Sequence, residues 1–351
     1  MAKRPLKPGK QTDNPVHNQK NPPNIQAVAA RVGVSIATVS RVLNGIDAKA
    51  NEETRRRVRQ AAAELGYRPA HAGRALRLRQ TNLVALLMPD ISNAFYAAIA
   101  RSIESALRGR DHTMILCNTN EQADLQDFYL EEMQAYRVRG VALLGAVESS
   151  GLNRALANGP PIIFVNRKPP GGGGAFVGID NDAAGRAVAT HFLTKKFESC
   201  AIIHGPLQSS ASRERYQGFA ARLAEAGQPL PQENIIYGGL SIEDGYAAAD
   251  QLIHKHTHPR AIFCSNDLVA YGLFRRCQEK SLRVPEDIAI FGFDDNPLND
   301  WVAPWLSTVH IPYDALGTAV TKVLFDIWEG QNEQTLEKIL PFTLKLRGSA
   351  E

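Results

Sequence analysis

Residues 33–45 read GVSIATVSRVLNG, and the segment before them places Ile25, Val28, Ala29 and Val32 at helical spacing. Val34 sits in the junction, and Val39, Val42 and Leu43 repeat the apolar face on a second short helix. The two helices meet at Gly33, where a turn backbone favours a residue without a β-carbon. Ser35 stands where a hydroxyl can accept from the first free N–H groups of the second helix. Thr38, Ser40, Arg41 and Asn44 fall off the apolar stripe, as polar groups facing a nucleic-acid groove would. The pattern is that of a helix-turn-helix, which lays its second helix in the DNA major groove. A short helical hairpin in an enzyme would show the same periodicity.

The wording of this stretch goes further than its periodicity. VAARVGVSIATVSRVLNG resembles the signature of the lactose/galactose repressor (LacI/GalR) family of bacterial transcriptional regulators. The resemblance continues through NEETRRRVRQAAAELGYRP (51–69) and LRQTNLVALLMPDISNAFY (78–96), and returns at GPLQSSASRERYQGF (205–219), CSNDLVAYG (264–272) and IAIFGFDDNPL (288–298). It covers essentially everything after residue 23.

Composition fits that reading. A chain of 351 residues with 44% hydrophobic and 22% charged residues can bury a sizeable core, and no run of 18 apolar residues marks a membrane span. The N-terminus is charged and lacks an apolar signal core, so a cytoplasmic protein is expected. Cys117, Cys200, Cys264 and Cys277 show neither metal-ligand nor disulfide spacing, and read as reduced thiols. The net charge of +4 is unevenly spread: residues 1–79 hold 16 Lys and Arg against 5 Asp and Glu, so the remainder is acidic. A basic head on an acidic body suits a polyanion held at one end.

Residues 1–23 are rich in proline and lysine and read as a disordered basic tail. The DNA-binding domain is expected over 24–68, with Asn24 capping its first helix. A third helix is predicted over 52–65, with Asn51 as its cap and Gly66 as its stop. Arg55, Arg56, Arg57 and Arg59 on it lie either near phosphate or on a solvated face. Residues 69–79, PAHAGRALRLR, form a linker. The resemblance implies that this linker becomes a hinge helix on operator DNA, with Leu76 as a minor-groove wedge between Arg74 and Arg77. Gly73 weakens it, since glycine costs a helix roughly 1 kcal/mol against alanine.

Beyond residue 80 short apolar strands alternate with helical patterns: 83–88, 113–117, 141–145, 161–165, 200–204, 261–265 and 288–292. That rhythm predicts an α/β body with doubly wound parallel sheets. Crossovers near 180 and 310 match the two-lobed, periplasmic-binding-protein-like fold of the family. The N-lobe is expected over about 80–180 and 310–337, and the C-lobe over about 181–309 and 338–348. Ligands of such sheets bind beyond the carboxyl ends of strands. The polar and aromatic residues there include Asn93, Phe95, Tyr96, Asn166, Arg167, Asn266, Asp267 and Asp294.

The resemblance implies ligand roles for several of them. Asn93, Phe95 and Tyr96 match sugar-contacting positions, and Arg213 matches an arginine that clamps ligand oxygens. Asn266 or Asp267, together with Asp294, match polar contacts from the second lobe. Asn166 replaces the aspartate of many relatives, a lost charge that would favour an anionic ligand. Each could instead cap a helix or fill a core. Ser35, Ile36, Ala37, Thr38, Ser40, Arg41 and Asn44 are the expected operator contacts, with Ile36 and Ala37 suited to thymine methyls.

The expected partners are double-stranded operator DNA, a second copy of the chain, and a sugar, sugar acid or phosphosugar effector. No cofactor, metal or membrane is expected. The histidines of HKHTH (254–258) read as a solvated turn, and KPPGGGG (168–174) lacks the ending of a phosphate-binding loop. A sugar-metabolising enzyme would need a nucleophile, a metal or an acid/base pair. Asp294 beside Asp295 alone does not make one. A sugar-binding protein without transcriptional control would share the body but not the head.

Overall fold

Asn24 opens the first helix: its backbone is extended and its side chain accepts from Ala27 N at 2.9 Å. The computed structural model describes residues 23–43, 50–67, 81–253, 258–331 and 336–351. The chain divides into two compact units, residues 1–81 and 82–351.

In the first unit, α1 (Ile25–Val32) ends at Gly33, whose left-handed backbone (φ 73°) lets its N–H reach Ala29 O. Helix α2 (Ile36–Leu43) follows at 105° to α1, an angle typical of a helix-turn-helix. Helix α3 (Glu52–Glu64) starts at Asn51, which accepts from Thr54 N. At its end Gly66 turns left-handed and Tyr67 N returns to Ala62 O at 2.8 Å. The three helices close over Val28, Val32, Val39, Val42 and Val58. Valine and alanine side chains make this core small and tight.

The second unit holds two parallel sheets. The N-lobe contains β1 (Leu83–Met88), β2 (Thr113–Asn118), β3 (Gly140–Leu144), β4 (Ile162–Val165), β5 (Ala175–Ile179) and β11 (Glu337–Leu340), in the order β11-β5-β4-β3-β1-β2. The C-lobe contains β6 (Cys200–His204), β7 (Ile235–Tyr237), β8 (Ala261–Cys264) and β9 (Ala289–Phe291), in the order β7-β6-β8-β9. A short antiparallel pair, β10 (Thr308–His310) with β12 (Thr343–Lys345), completes the strands. The central strands are almost continuously apolar because helices cover both sheet faces.

The helices of the N-lobe are α4 (Ala94–Arg108), α5 (Ala123–Ala135), α6 (Ser150–Asn158) and the returning α12 (Tyr313–Trp328). Those of the C-lobe are α7 (Asn181–Thr194), α8 (Ser210–Glu225), α9 (Ile242–Ile253), α10 (Asp267–Glu279) and the short α11 (Asn299–Val302). The chain crosses between lobes after β5, after β10 and after β11. The last crossing falls a few residues later than expected, because 337–340 pairs in parallel with β5 instead of joining the C-lobe. The C-terminus is woven into the C-lobe, where Ser349 Oγ donates to Ile290 O.

Candidate nucleic-acid interface and ligand cleft

Helix α2 buries Val39 and Val42 and exposes Ile36, Ala37 and Arg41 along one face. Ser35 Oγ accepts from Thr38 N at 3.1 Å and shares a hydrogen bond with Thr38 Oγ1 at 2.9 Å. Those two hydroxyls therefore build the helix start, and Thr38 and Ser40 are half-buried. Asn44, Arg74, Leu76, Arg77 and most of the HKHTH run lie outside the described residues.

Three of the four arginines of α3, Arg55, Arg56 and Arg57, make contacts within the head. Arg57 Nη2 donates to Val32 O at 2.8 Å and so ties α3 to the end of α1. Arg55 Nε donates to Ala50 O, and Arg56 pairs with Glu53 at 2.9 Å, which lowers the Glu53 carboxyl pKa. Spacing alone could not separate these partners from phosphate.

In the second unit a cavity of about 490 Å³ lies between the carboxyl ends of the two sheets. From the N-lobe it is lined by Asn93, Phe95, Tyr96, Asn166 and Arg167, and from the C-lobe by Arg215, Asn266 and Asp294. Four of its lining residues, Asn120, Glu121, Asn166 and Asp294, hold positive φ of 52°, 57°, 66° and 102°. Such backbone is costly for non-glycine residues and tends to gather where function requires a side chain to be aimed.

Asn93 caps α4 by accepting from Phe95 N at 3.0 Å, which fixes the loop that presents Phe95 and Tyr96. The two rings pack edge to face at 4.9 Å, and burial pushes the Tyr96 hydroxyl up to about 12. Asn166 N donates to Val177 O, while its Oδ1 is buried without a hydrogen-bond partner. Arg167 is buried and donates through Nη2 to Glu121 Oε1 at 2.6 Å. Burial works against its charge, but Tyr96 and Glu121 outweigh it and hold its pKa above the ordinary value.

Across the cleft stands Arg215, only 6% exposed. Its Nε donates to Asn181 Oδ1 at 2.9 Å, its Nη1 to Ser265 O at 2.8 Å, and its plane lies 3.4 Å from the centre of the Phe293 ring. Burial lowers its pKa to about 10, so it remains charged at neutral pH. Arg215 Nη2 is 3.8 Å from Asp294 Oδ1, an oxygen that is buried without a hydrogen bond. Burial raises Asp294 to about 8, against the pull of Arg215. Helices α7 and α8 meet at glycines: a β-carbon on Gly218 would fall 2.1 Å from Asp182 O, and one on Gly185 would fall 2.2 Å from Arg215 O. This close approach sets Arg215 in place.

Two expected ligand residues sit elsewhere. Arg213 does not line this cleft; its Nη1 donates to Leu207 O and its side chain faces an adjoining cavity. The buried stripe of α8 runs Ser212, Arg215, Phe219, at helical spacing, and Arg213 falls off it. Asp267 lies behind the cleft as a hub. Its Oδ2 accepts from Asn296 N and Asn299 Nδ2 at 2.7 and 2.8 Å, and its Oδ1 from Thr308 Oγ1 at 2.6 Å. Burial pushes Asp267 up to about 7 despite these donors. Asn266 lines the cleft, but its side chain caps α10 at Val269 N and donates to Leu240 O. Asp267→Ala would strand three buried donors. We expect a loss of about 3–5 kcal/mol in urea unfolding, with Asp267→Asn losing less.

Comparison with known proteins places this architecture. Residues 24–70 match the family of bacterial regulatory proteins, lacI family, and residues 189–350 match a periplasmic binding protein-like domain. The ribose operon repressor of Escherichia coli (strain K12) is 32% identical over 327 residues, covering 92% of this chain and 98% of the repressor. The transcriptional repressor PurR of Vibrio atlanticus (strain LGP32) is 33% identical, covering 86% and 91%. Among solved structures, a complex of the transcriptional regulator CelR with cellobiose is 28% identical, with a TM-score of 0.71 and coverage of 93% and 99%. A lac repressor dimer bound to operator shares the fold, at 24% identity and a TM-score of 0.85, covering 94% of this chain and 99% of the repressor chain.

The chain belongs to the lacI family of bacterial regulatory proteins. It is a DNA-binding transcriptional regulator and not an enzyme. No single helix among the described residues is long and apolar enough to cross a membrane.

Proposed function

We propose that the protein acts in the cytoplasm as a repressor whose hold on its operator is set by a neutral, hydroxyl-rich sugar in the cleft. The observation that carries this is a pair of buried acceptors without donors, Asn166 Oδ1 and Asp294 Oδ1, in one cavity with the buried guanidinium groups of Arg167 and Arg215. A ligand that satisfies all four must both donate and accept hydrogen bonds, and a sugar hydroxyl does both. Of the structures named above, the CelR complex holds a sugar, cellobiose.

Charge favours a neutral ligand over a sugar acid or phosphosugar. Asp90, Glu121 and Asp244 line the cleft against Arg167 and Arg215, while Asp294, raised to about 8, is largely uncharged at neutral pH. Asn166 removes one negative charge, but the carboxylates still outnumber the guanidinium groups.

Two copies would bind the half-sites of a roughly palindromic operator, each through the exposed face of α2. Leu298, Trp301 and Val302 form an exposed apolar face on the C-lobe, with Trp301 85% exposed, which suits burial against a second copy. Closing the lobes on ligand would shift the paired N-lobes and act on the operator through the 69–79 linker.

A thermal-shift screen with sugars, sugar acids, phosphosugars and purines tests the ligand class. A neutral sugar at 100 times its dissociation constant should stabilise the body by about 2.7 kcal/mol. A shift with anionic ligands alone would contradict the neutral reading, and no shift at all would remove the effector role of the cleft.

A further inference from the structure

A second cavity, of about 730 Å³, opens on the far side of Arg167. The two cavities share Glu121, Arg167, Pro206 and Ser209, so the Arg167–Glu121 ion pair at 2.6 Å forms part of the partition between them. We propose that the effector is a two-part molecule: one sugar unit in the inner cavity, and a second neutral, hydroxyl-rich unit reaching past Arg167 into the outer one. This rests on the reading of the cleft as the effector site.

Size is the first argument. Each cavity on its own falls in the range of about 300–1,000 Å³ that holds a small ligand, and the outer one is the larger. A single sugar ring in the inner cavity would leave the outer one unused.

Chemistry is the second. The outer cavity sets Glu121, Glu148 and Glu214 against Arg167, Lys168 and Arg213, so its charges balance. Arg167 is already paired with Glu121, and Lys168 with Glu214 at 3.1 Å. An ionic guest would therefore meet no net charge to neutralise. Hydroxyl groups can instead donate to the carboxylates and accept from the cations and from the Gln208 amide. No aromatic ring is found among the described residues of this lining, which therefore offer a flat hydrophobic guest no stacking surface.

Position is the third. Ser210 Oγ at the start of α8 accepts from Lys168 N at 2.8 Å, so a C-lobe helix and an N-lobe loop meet at the wall of the outer cavity. A guest there touches both lobes and contributes directly to their closure, which is the motion the operator must sense.

The test is calorimetry on the full-length protein with matched pairs: glucose and cellobiose, xylose and xylobiose, galactose and lactose. Gln208→Trp and Glu148→Trp each fill the outer cavity from an exposed position, one per lobe. We expect one disaccharide to bind at least about tenfold tighter than its monosaccharide. Either tryptophan should erase that advantage while leaving the monosaccharide affinity within about twofold. A monosaccharide that binds as tightly as its disaccharide, or a disaccharide preference untouched by both tryptophans, overturns the proposal and leaves the inner site standing. Sugar binding that is absent, or that survives Arg215→Ala unchanged, removes the cleft reading and the proposal together.

Discussion

Replacing Arg215 with alanine should abolish the effector response and leave operator binding without effector intact. The side chain is buried, donates to Asn181 and Ser265, and is the only cation within 4 Å of Asp294 among the described residues. Truncating a buried, charged hydrogen-bond donor costs about 2–5 kcal/mol in the interaction it serves, so the sugar dissociation constant should rise about 30-fold or more. Arg215→Lys keeps the charge but loses the planar fork that serves two acceptors at once, and an intermediate loss is expected. The head has its own core, so operator affinity in the absence of sugar should stay within about twofold. Calorimetry for sugar and fluorescence anisotropy for operator read the two halves separately. A folded Arg215→Ala protein that still responds to sugar would show that the cleft is not where the signal enters.

The complementary variant is Val39→Asp. Val39 is fully buried at the centre of a head whose core consists of valines and alanines. An unpaired carboxylate there costs several kcal/mol, and so small a unit has little stability in reserve. The head should unfold, and operator affinity should fall toward the non-specific level, about 10³-fold or more below specific binding. Sugar affinity and the melting of residues 82–351 should not change, because that unit has a core of its own. Specific operator binding retained by Val39→Asp would contradict the assignment of the operator contact to the helix-turn-helix. Taken together, the two variants separate reading DNA from sensing ligand.

How far each feature could be read from sequence follows from the range of the physics involved. Asn24, Gly33, Ser35, Asn51 and Gly66 act within one turn of their own position, so their roles as caps and turns were legible without tertiary information. The longer strands show as apolar runs bounded by turns. AFVGI (175–179) carries no such signal, because a glycine run precedes it and Gly178 interrupts it. The three-residue strand IIY (235–237) is too short to carry a period.

Which cavity a residue lines depends on which way its helix faces once packed, and resemblance alone put Arg213 where Arg215 lines the inner cleft. Arg213 and Arg215 differ by two positions, which on a helix puts them on opposite sides, and only Arg215 shares the buried stripe with Ser212 and Phe219. Asp267 likewise looked like a ligand contact beside Asn266. Its partners Asn296, Asn299 and Thr308 lie about 30 to 40 residues away, and no local pattern announces them.

The most direct test of a sugar-controlled operator grip is the affinity of the full-length protein for its own operator with and without a saturating sugar. The duplex is first selected from a randomised pool, and the sugar is the one that gives a thermal shift. Coupling between two sites of this kind is typically 1–3 kcal/mol, so the dissociation constant for DNA should change by about 5- to 150-fold. By reciprocity the sugar should bind the operator complex weaker or tighter by the same factor. An operator affinity identical with and without a sugar that demonstrably fills the cleft would contradict the account.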